Sequence, residues 1–306
     1  MTLTELRYIV TLAQEEHFGR AADRCHVSQP TLSIAVKKLE DELQVALFER
    51  SKTRVYATPL GEKIVEQAQR VLEEASSIKD IASAGKDQLS SSLRVGAIFT
   101  IGPYLFPHFI PQLQRLAPKM PLYVEESFTA TLRRRLRQGE LDVIIIALPF
   151  TEADVVTQPL YEEPFVVVMA EDHELAKEKA IRPEQLDPYN VLLLGEGHCF
   201  RDQVLEACPN LKPGIDDPRT ALRTASEGSS LETMKHMVAS RLGITILPQS
   251  AALADQYTNN LLVTRPFVDP VPTRTVALAW RASFPRHKAI DALRQAIGQC
   301  HIGHCD

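Results

Sequence analysis

One change of hydrophobic period divides this sequence and limits what it can fold into. Up to about residue 84 the apolar residues recur at helical spacing: Leu6, Ile9, Val10 and Ala13, then Phe18, Ala21, Ala22 and Cys25, then Leu32, Val36 and Leu39. Beyond that point they gather in short β-branched runs: LRVGAI, PLYVEE, DVIIIAL, FVVVMA, YNVLLL, GITILP and TVALAW. Helical stretches separate several of these runs. A stretch as continuously apolar as Val143–Leu148 needs a sheet covered on both faces. An all-α head and an α/β body are therefore expected. The chain's 306 residues also exceed what one core usually organises.

The head has the marks of a helix-turn-helix. Ser28 is an N-cap candidate, Pro30 falls in the first turn where its missing N–H does no harm, and the chain breaks near His26 and Val27. Gln29, Pro30, Ser33 and Lys37 lie off the apolar face of that third helix. In residues 60–84 a longer helix carries Ile64, Ala68, Val71, Ala75, Ile78 and Ala82 at heptad spacing. Such a seam suits pairing with a second copy, or packing on its own domain. Gly85 to Ser92 reads as a linker. Within the body, Ser229 and Glu232 have the spacing of a capping box for a helix over Leu231–Leu242.

Charge and composition exclude some classes. No apolar run approaches the ~20 residues that span a bilayer. Glu5, Arg7, Glu15 and Glu16 interrupt any N-terminal leader, so a cytoplasmic protein without membrane association is expected. Net charge is -5, and through Leu60 basic and acidic residues balance at eight each. Contact with nucleic acid must then rest on where the cations sit. Five cysteines, an odd number, do not describe a disulfide framework. In a reducing compartment they suggest thiols, with any disulfide catalytic or sensing. The terminal Cys300, His301, His304 and Cys305 could in principle hold zinc; a tail without metal is the preferred reading. The run Arg133, Arg134, Arg135, Arg137 reads as a solvated helix face.

The segment RYIVTLAQEEHFGRAADRCHVSQPTLSIAVKKLEDELQVALFER, with TPLGE after it, resembles the DNA-binding head of the LysR-type regulators. Further on, GAIFTIGPYLFP, GEGHCFRDQVLEAC and SSLETMKHMVAS resemble the regulatory domain of peroxide-sensing members. The likeness extends over essentially the whole chain. It implies a winged helix-turn-helix over residues 1–58, a linker helix over 59–89, and a two-lobed regulatory domain like periplasmic binding proteins over 90–306. Lobe I would be about 90–161 and 268–306, and lobe II about 162–267. A homotetramer, a dimer of dimers, is implied on double-stranded promoter DNA. RNA polymerase, hydrogen peroxide and a reducing thiol system would be its other partners, with no cofactor or metal.

The same resemblance implies site residues. The DNA contacts would come from Gln29, Pro30, Thr31, Ser33 and Lys37, and from Arg50, Lys52 and Arg54 in the wing. The redox pair would be Cys199 and Cys208, and the peroxide pocket Thr100, Thr129, His198, Asp202 and Arg274. Simple chemistry makes the cysteines plausible. Cys199 precedes the helical pattern Phe200–Ala207, where free N–H groups favour a thiolate, and His198 and Arg201 bring donors or positive charge. Phe200, Val204, Ala207 and Cys208 share core spacing, so the reduced Cys208 should be buried. Nine helical steps of about 1.5 Å would hold the two Cα atoms roughly 13 Å apart, against about 7 Å for a disulfide. Bond formation would need the segment to unwind. Other readings remain open here: a metabolite-responsive regulator with inert cysteines, a thiol peroxidase, or a transport-type binding protein.

Overall fold

The computed structural model describes residues 1–50, 55–84, 88–211, 230–253 and 261–300. Lys52, Arg54, Ser229, His301, His304 and Cys305 lie outside these residues, and the Arg50 side chain is not described. Two compact units divide the chain.

The first unit is the helical head. It comprises α1 (Leu3–Glu15), α2 (Phe18–Arg24), α3 (Gln29–Leu43), a hairpin of β1 (Phe48–Arg50) and β2 (Val55–Ala57), and α4 (Pro59–Ala84). Leu6, Ile9, Leu12, Ala21, Ala22, Leu32, Val36 and Leu39 fill its core, which are the periodic positions of the sequence. Each of the first three helices starts on a side-chain cap. Thr2 and Glu5 form a capping box, His17 accepts from Gly19 N at 3.0 Å, and Ser28 accepts from Thr31 N at 3.4 Å. Between α2 and α3 the chain turns through His26 in the left-handed region, φ 55°. Glu40 fastens α3 to the hairpin, because its Oε1 accepts from Leu47 N and Phe48 N.

Over the first half of α4 the second reading of the seam, packing on its own domain, applies. Ile64, Val65, Ala68 and Leu72 pack against the head's own core. The helix approaches closely: a Cβ at Gly61 would collide with the Leu47 carbonyl oxygen. Val71 and Ile78 remain exposed, Ile78 at 69 %. The seam therefore changes duty along the helix.

The second unit is built on β3 (Leu93–Ile98), α5 (Gly102–Leu116), β4 (Leu122–Ser127), α6 (Thr129–Arg137), β5 (Val143–Ala147), β6 (Val155–Ala170) and β7 (Val191–Leu192). After them come α7 (Cys199–Ala207), α8 (Leu231–Ala239), β8 (Ile244–Pro248), α9 (Gln249–Leu253), β9 (Leu262–Pro266), β10 (Thr273–Arg281) and α10 (His287–Gly298). The strand order is β4-β3-β5-β10-β6-β8-β7, and β9 lies on β6 as well.

Strand β6 makes two lobes out of this order. Its first part, through Pro164, pairs with β10; from Phe165 it pairs with β8 and β9. Each part has its own core. Ile144, Ile145, Leu278, Leu293 and Phe109 belong to one, and Phe165, Val167, Phe200, Val238 and Leu247 to the other. The fully buried β5 lies inside the first lobe's core, as its unbroken apolar run requires. Where α10 begins, the buried Arg286 donates to the carbonyls of Gln88, Ser91 and Ser92, fixing the chain as it enters this unit.

Two local readings change. The N-cap of α8 is Ser230, one residue beyond the expected Ser229, and its Oγ accepts from Thr233 N. Glu232, freed from capping, accepts from the Tyr104 hydroxyl at 2.9 Å and pairs with the buried Lys235. The arginine run on α6 is not merely solvated either. Arg133 pairs with Glu152, and Arg135 with Glu125 and Glu140.

Candidate functional site

Parallel β strands end in loops that lead into helix starts, and small ligands commonly bind at such carboxyl ends. In the first lobe, β3 runs into Phe99 and Thr100, and the parallel β4 into Phe128 and Thr129. A third helix start, that of α7 in the second lobe's core, faces them. Ile98, Phe99, Thr100, Ser127, Phe128, Thr129, Gly197, His198 and Cys199 together line one small cavity. Space for the centre of a water-sized molecule amounts to about 10 Å³. A single water needs about that much, whereas organic ligands occupy pockets of roughly 300–1,000 Å³.

Cys199 is the first residue of α7 and half-buried. His198, its N-cap, makes no side-chain capping bond, so that helix start keeps N–H groups for an anion. Gly197 holds φ +91°, a conformation that suits glycine, and a Cβ there would meet the Phe128 ring at 3.5 Å. The rings of Phe99, Phe128 and His198 pack on one another, with Phe128 and His198 centroids 4.8 Å apart. Burial pushes the His198 imidazole below its ordinary value, favouring the neutral ring. It therefore brings a donor or an acceptor rather than charge. Arg201 does not face the thiol as a free cation: it donates to the Leu194 carbonyl at 2.8 Å.

Of the expected pocket residues, Thr100, Thr129, His198 and Cys199 come together. Asp202 does not. It sits exposed in the first turn of α7 and does not line the cavity. Arg274 stands behind the wall instead of in it. Its Nη1 donates to Thr100 Oγ1 at 2.9 Å, its Nη2 to the Thr100 carbonyl, and its Nε to Glu163 at 2.8 Å. Both members of the Arg274–Glu163 pair are buried. The sequence reading missed Glu163. Its signal was the strand period: Tyr161, Glu163 and Phe165 share a face, so the acid had to point inward with a partner.

Cys208 ends α7 at its other end. It is 2 % exposed and packed in the second lobe's core, while Cys199 packs against the first. Both are free thiols. Burial pushes the Cys208 thiol up to about 11, with Glu184 and Asp187 adding to the effect. It is thus an unreactive thiol where it stands.

The outer face of α3 is open. Gln29, Pro30, Thr31 and Lys37 are exposed on α3, and Ser33 is half-exposed. Lys38, by contrast, pairs with Glu5 at 2.8 Å. Cys25 directly follows α2, partly buried against the core. Among the described residues no cluster of metal-ligating side chains occurs, and no helix is long and apolar enough to cross a membrane.

Residues 3–62 match the bacterial regulatory helix-turn-helix of the lysR family, and residues 86–300 match the LysR substrate binding domain. The chain belongs to the LysR family of bacterial transcriptional regulators. Within that family it is 39 % identical to the DNA-binding transcriptional dual regulator OxyR of Escherichia coli, across 100 % of this chain and 98 % of that protein. Full-length OxyR from Pseudomonas aeruginosa is 61 % identical with a TM-score of 0.76, covering 99 % of this chain and 96 % of that one. The reduced OxyR regulatory domain from the same species is 56 % identical with a TM-score of 0.64, over 71 % of this chain and 100 % of that one.

Proposed function

We propose that this regulator senses hydrogen peroxide through Cys199 and reports it to promoter DNA by forming a Cys199–Cys208 disulfide. One observation carries the reading: a half-buried thiol at a helix start on a water-sized cavity, with the second thiol sealed in another core at the far end of the same helix. A cavity of this size favours peroxide over a metabolite as the ligand of Cys199.

The chemistry runs in two steps. The Cys199 thiolate attacks one peroxide oxygen, the O–O bond breaks, and the other oxygen leaves as hydroxide, which takes a proton to become water. Sulfenic acid remains on Cys199. Cys208, once drawn from its core and deprotonated, attacks that sulfur; the disulfide forms and a second water leaves. The thiol pair supplies both electrons, and a reducing thiol system restores it.

Residues 1–58 would bind DNA, 59–89 link copies, and 90–306 sense. Gln29, Pro30, Thr31, Ser33 and Lys37 on α3 face the major groove, while Arg50, Lys52 and Arg54 of the wing meet phosphates. The exposed Val71 and Ile78 suit pairing of α4 between copies in a dimer of dimers. RNA polymerase is the partner on the promoter, and the bacterial cytoplasm is where the protein works.

The test is Cys208→Ser. Its Cys199 should still form sulfenic acid with peroxide, while the change in conformation is lost. A full wild-type structural response in that variant would end the disulfide reading.

A further inference from the structure

Thr100, a cavity residue, has its hydroxyl held from behind. Arg274 Nη1 donates to its Oγ1 at 2.9 Å, and a second guanidinium nitrogen holds the Thr100 carbonyl at 2.8 Å. A hydroxyl has one hydrogen and two lone pairs. With one lone pair taken by a cation, its own hydrogen is polarised and must point elsewhere. Thr100 is 2 % exposed and lines the cavity beside Cys199.

Arg274 in turn is held by Glu163, a carboxylate 3 % exposed. Glu163 Oε2 accepts from Arg274, and its Oε1 accepts from Ser250 N at 3.0 Å, at the start of α9 in the second lobe. Phe200 of α7 packs under the guanidinium, 5.3 Å from its carbon. The charge of Arg274 is thus compensated by Glu163, and its link to the cavity runs through Thr100 rather than through a free cation.

We propose that Glu163 is a positioning residue for the peroxide site: through Arg274 it sets the Thr100 hydroxyl to donate to the peroxide oxygen that departs as hydroxide. This rests on the peroxide-sensing reading above and assigns its leaving-group donor. As the Cys199 thiolate forms its bond to one oxygen and the O–O bond breaks, negative charge grows on the other oxygen. A donor fixed in advance stabilises that charge without reorganisation. Glu163 touches neither peroxide nor sulfur and acts through two residues. Its second bond, to Ser250 N, makes the same carboxylate a tie between the lobes.

The experiment compares two reagents on the full reduced chain. Hydrogen peroxide needs a donor for its leaving oxygen, whereas methyl methanethiosulfonate reports the thiolate alone. Loss of free Cys199 is followed by mass spectrometry of its peptide. Thr100→Val and Glu163→Ala should each slow the peroxide reaction at least about tenfold, on the scale of a lost oxyanion donor. The double variant should be no more than about threefold slower than Thr100→Val, because both changes remove one donor. All three should react with methanethiosulfonate within about threefold of wild type. Glu163→Gln, which keeps one oxygen to accept from Arg274 but gives up the charge and the bond from Ser250 N, should recover part of the lost peroxide rate. If Glu163→Ala does not fold, Arg274→Lys takes its place with the same expectation, since it keeps the charge but loses the fork.

An unchanged peroxide rate in Glu163→Ala overturns the proposal, as do multiplying losses or equal loss toward both reagents. If wild-type Cys199 meets peroxide no faster than free cysteine does, the sensing reading falls and this proposal with it. A fast wild type with an indifferent Glu163→Ala removes the proposal alone.

Discussion

Cys208 is the residue on which the resting state depends. It is a small apolar side chain in a packed core, and burial holds its thiol near 11 against an ordinary 9. Between those pH values the folded chain keeps a proton that the unfolded chain has lost. The stabilisation is therefore complete below about pH 9 and disappears as pH rises through about 11. Two units correspond to about 2 to 3 kcal/mol. Urea midpoints of the reduced wild type should fall over that window relative to Cys208→Ala; parallel curves would mean that Cys208 is not buried as a thiol. At this scale the sequence was partly legible. Core spacing placed Cys208 inside and put Cys199 at a helix start. Asp202 and Arg201 were misjudged because neighbours along a helix point in different directions, and their partners are set by the tertiary fold. Arg274 was expected in the pocket itself and stands behind its wall; its partner Glu163 lies 111 residues away, and no local pattern joins them.

Under the proposed disulfide mechanism, helix α7 is the element that changes. It runs unbroken from Cys199 to Ala207, with Cys208 as its C-cap. A disulfide between its ends cannot form on a helix, as the roughly 13 Å span already requires. Oxidation should therefore expose the amides of residues 200–207 to hydrogen exchange, while the sheet amides of β5 stay protected. Unaltered protection over α7 in the disulfide form would contradict this. Most elements were readable because their apolar runs are pure. The first part of β6 and all of β9 were not. Pro159, Pro164 and two adjacent acids obscure β6, and a bulge near Leu160 breaks its alternation. In LVTRP of β9 every described position is only partly buried or exposed. The heptad of α4 was real in the sequence, but nothing local could tell a partner helix from the head's own core.

The whole molecule comprises a DNA-binding head and a two-lobed body whose lobes share β6. Cys199 packs against one lobe and Cys208 belongs to the other, so the disulfide must take Cys208 out of its core. Large rearrangements of this kind arise because packed cores are bistable rather than continuously deformable. In the proposed mechanism the signal that reaches DNA is the altered packing, with the disulfide as its lock. The most direct test is a peroxide titration of wild type and Cys199→Ser that reads Cys199–Cys208 disulfide by mass and the promoter footprint in the same samples. The account predicts that disulfide and footprint change together in wild type and that neither changes in Cys199→Ser. A wild type whose footprint shifts without the disulfide, or whose disulfide forms without moving the footprint, would contradict it.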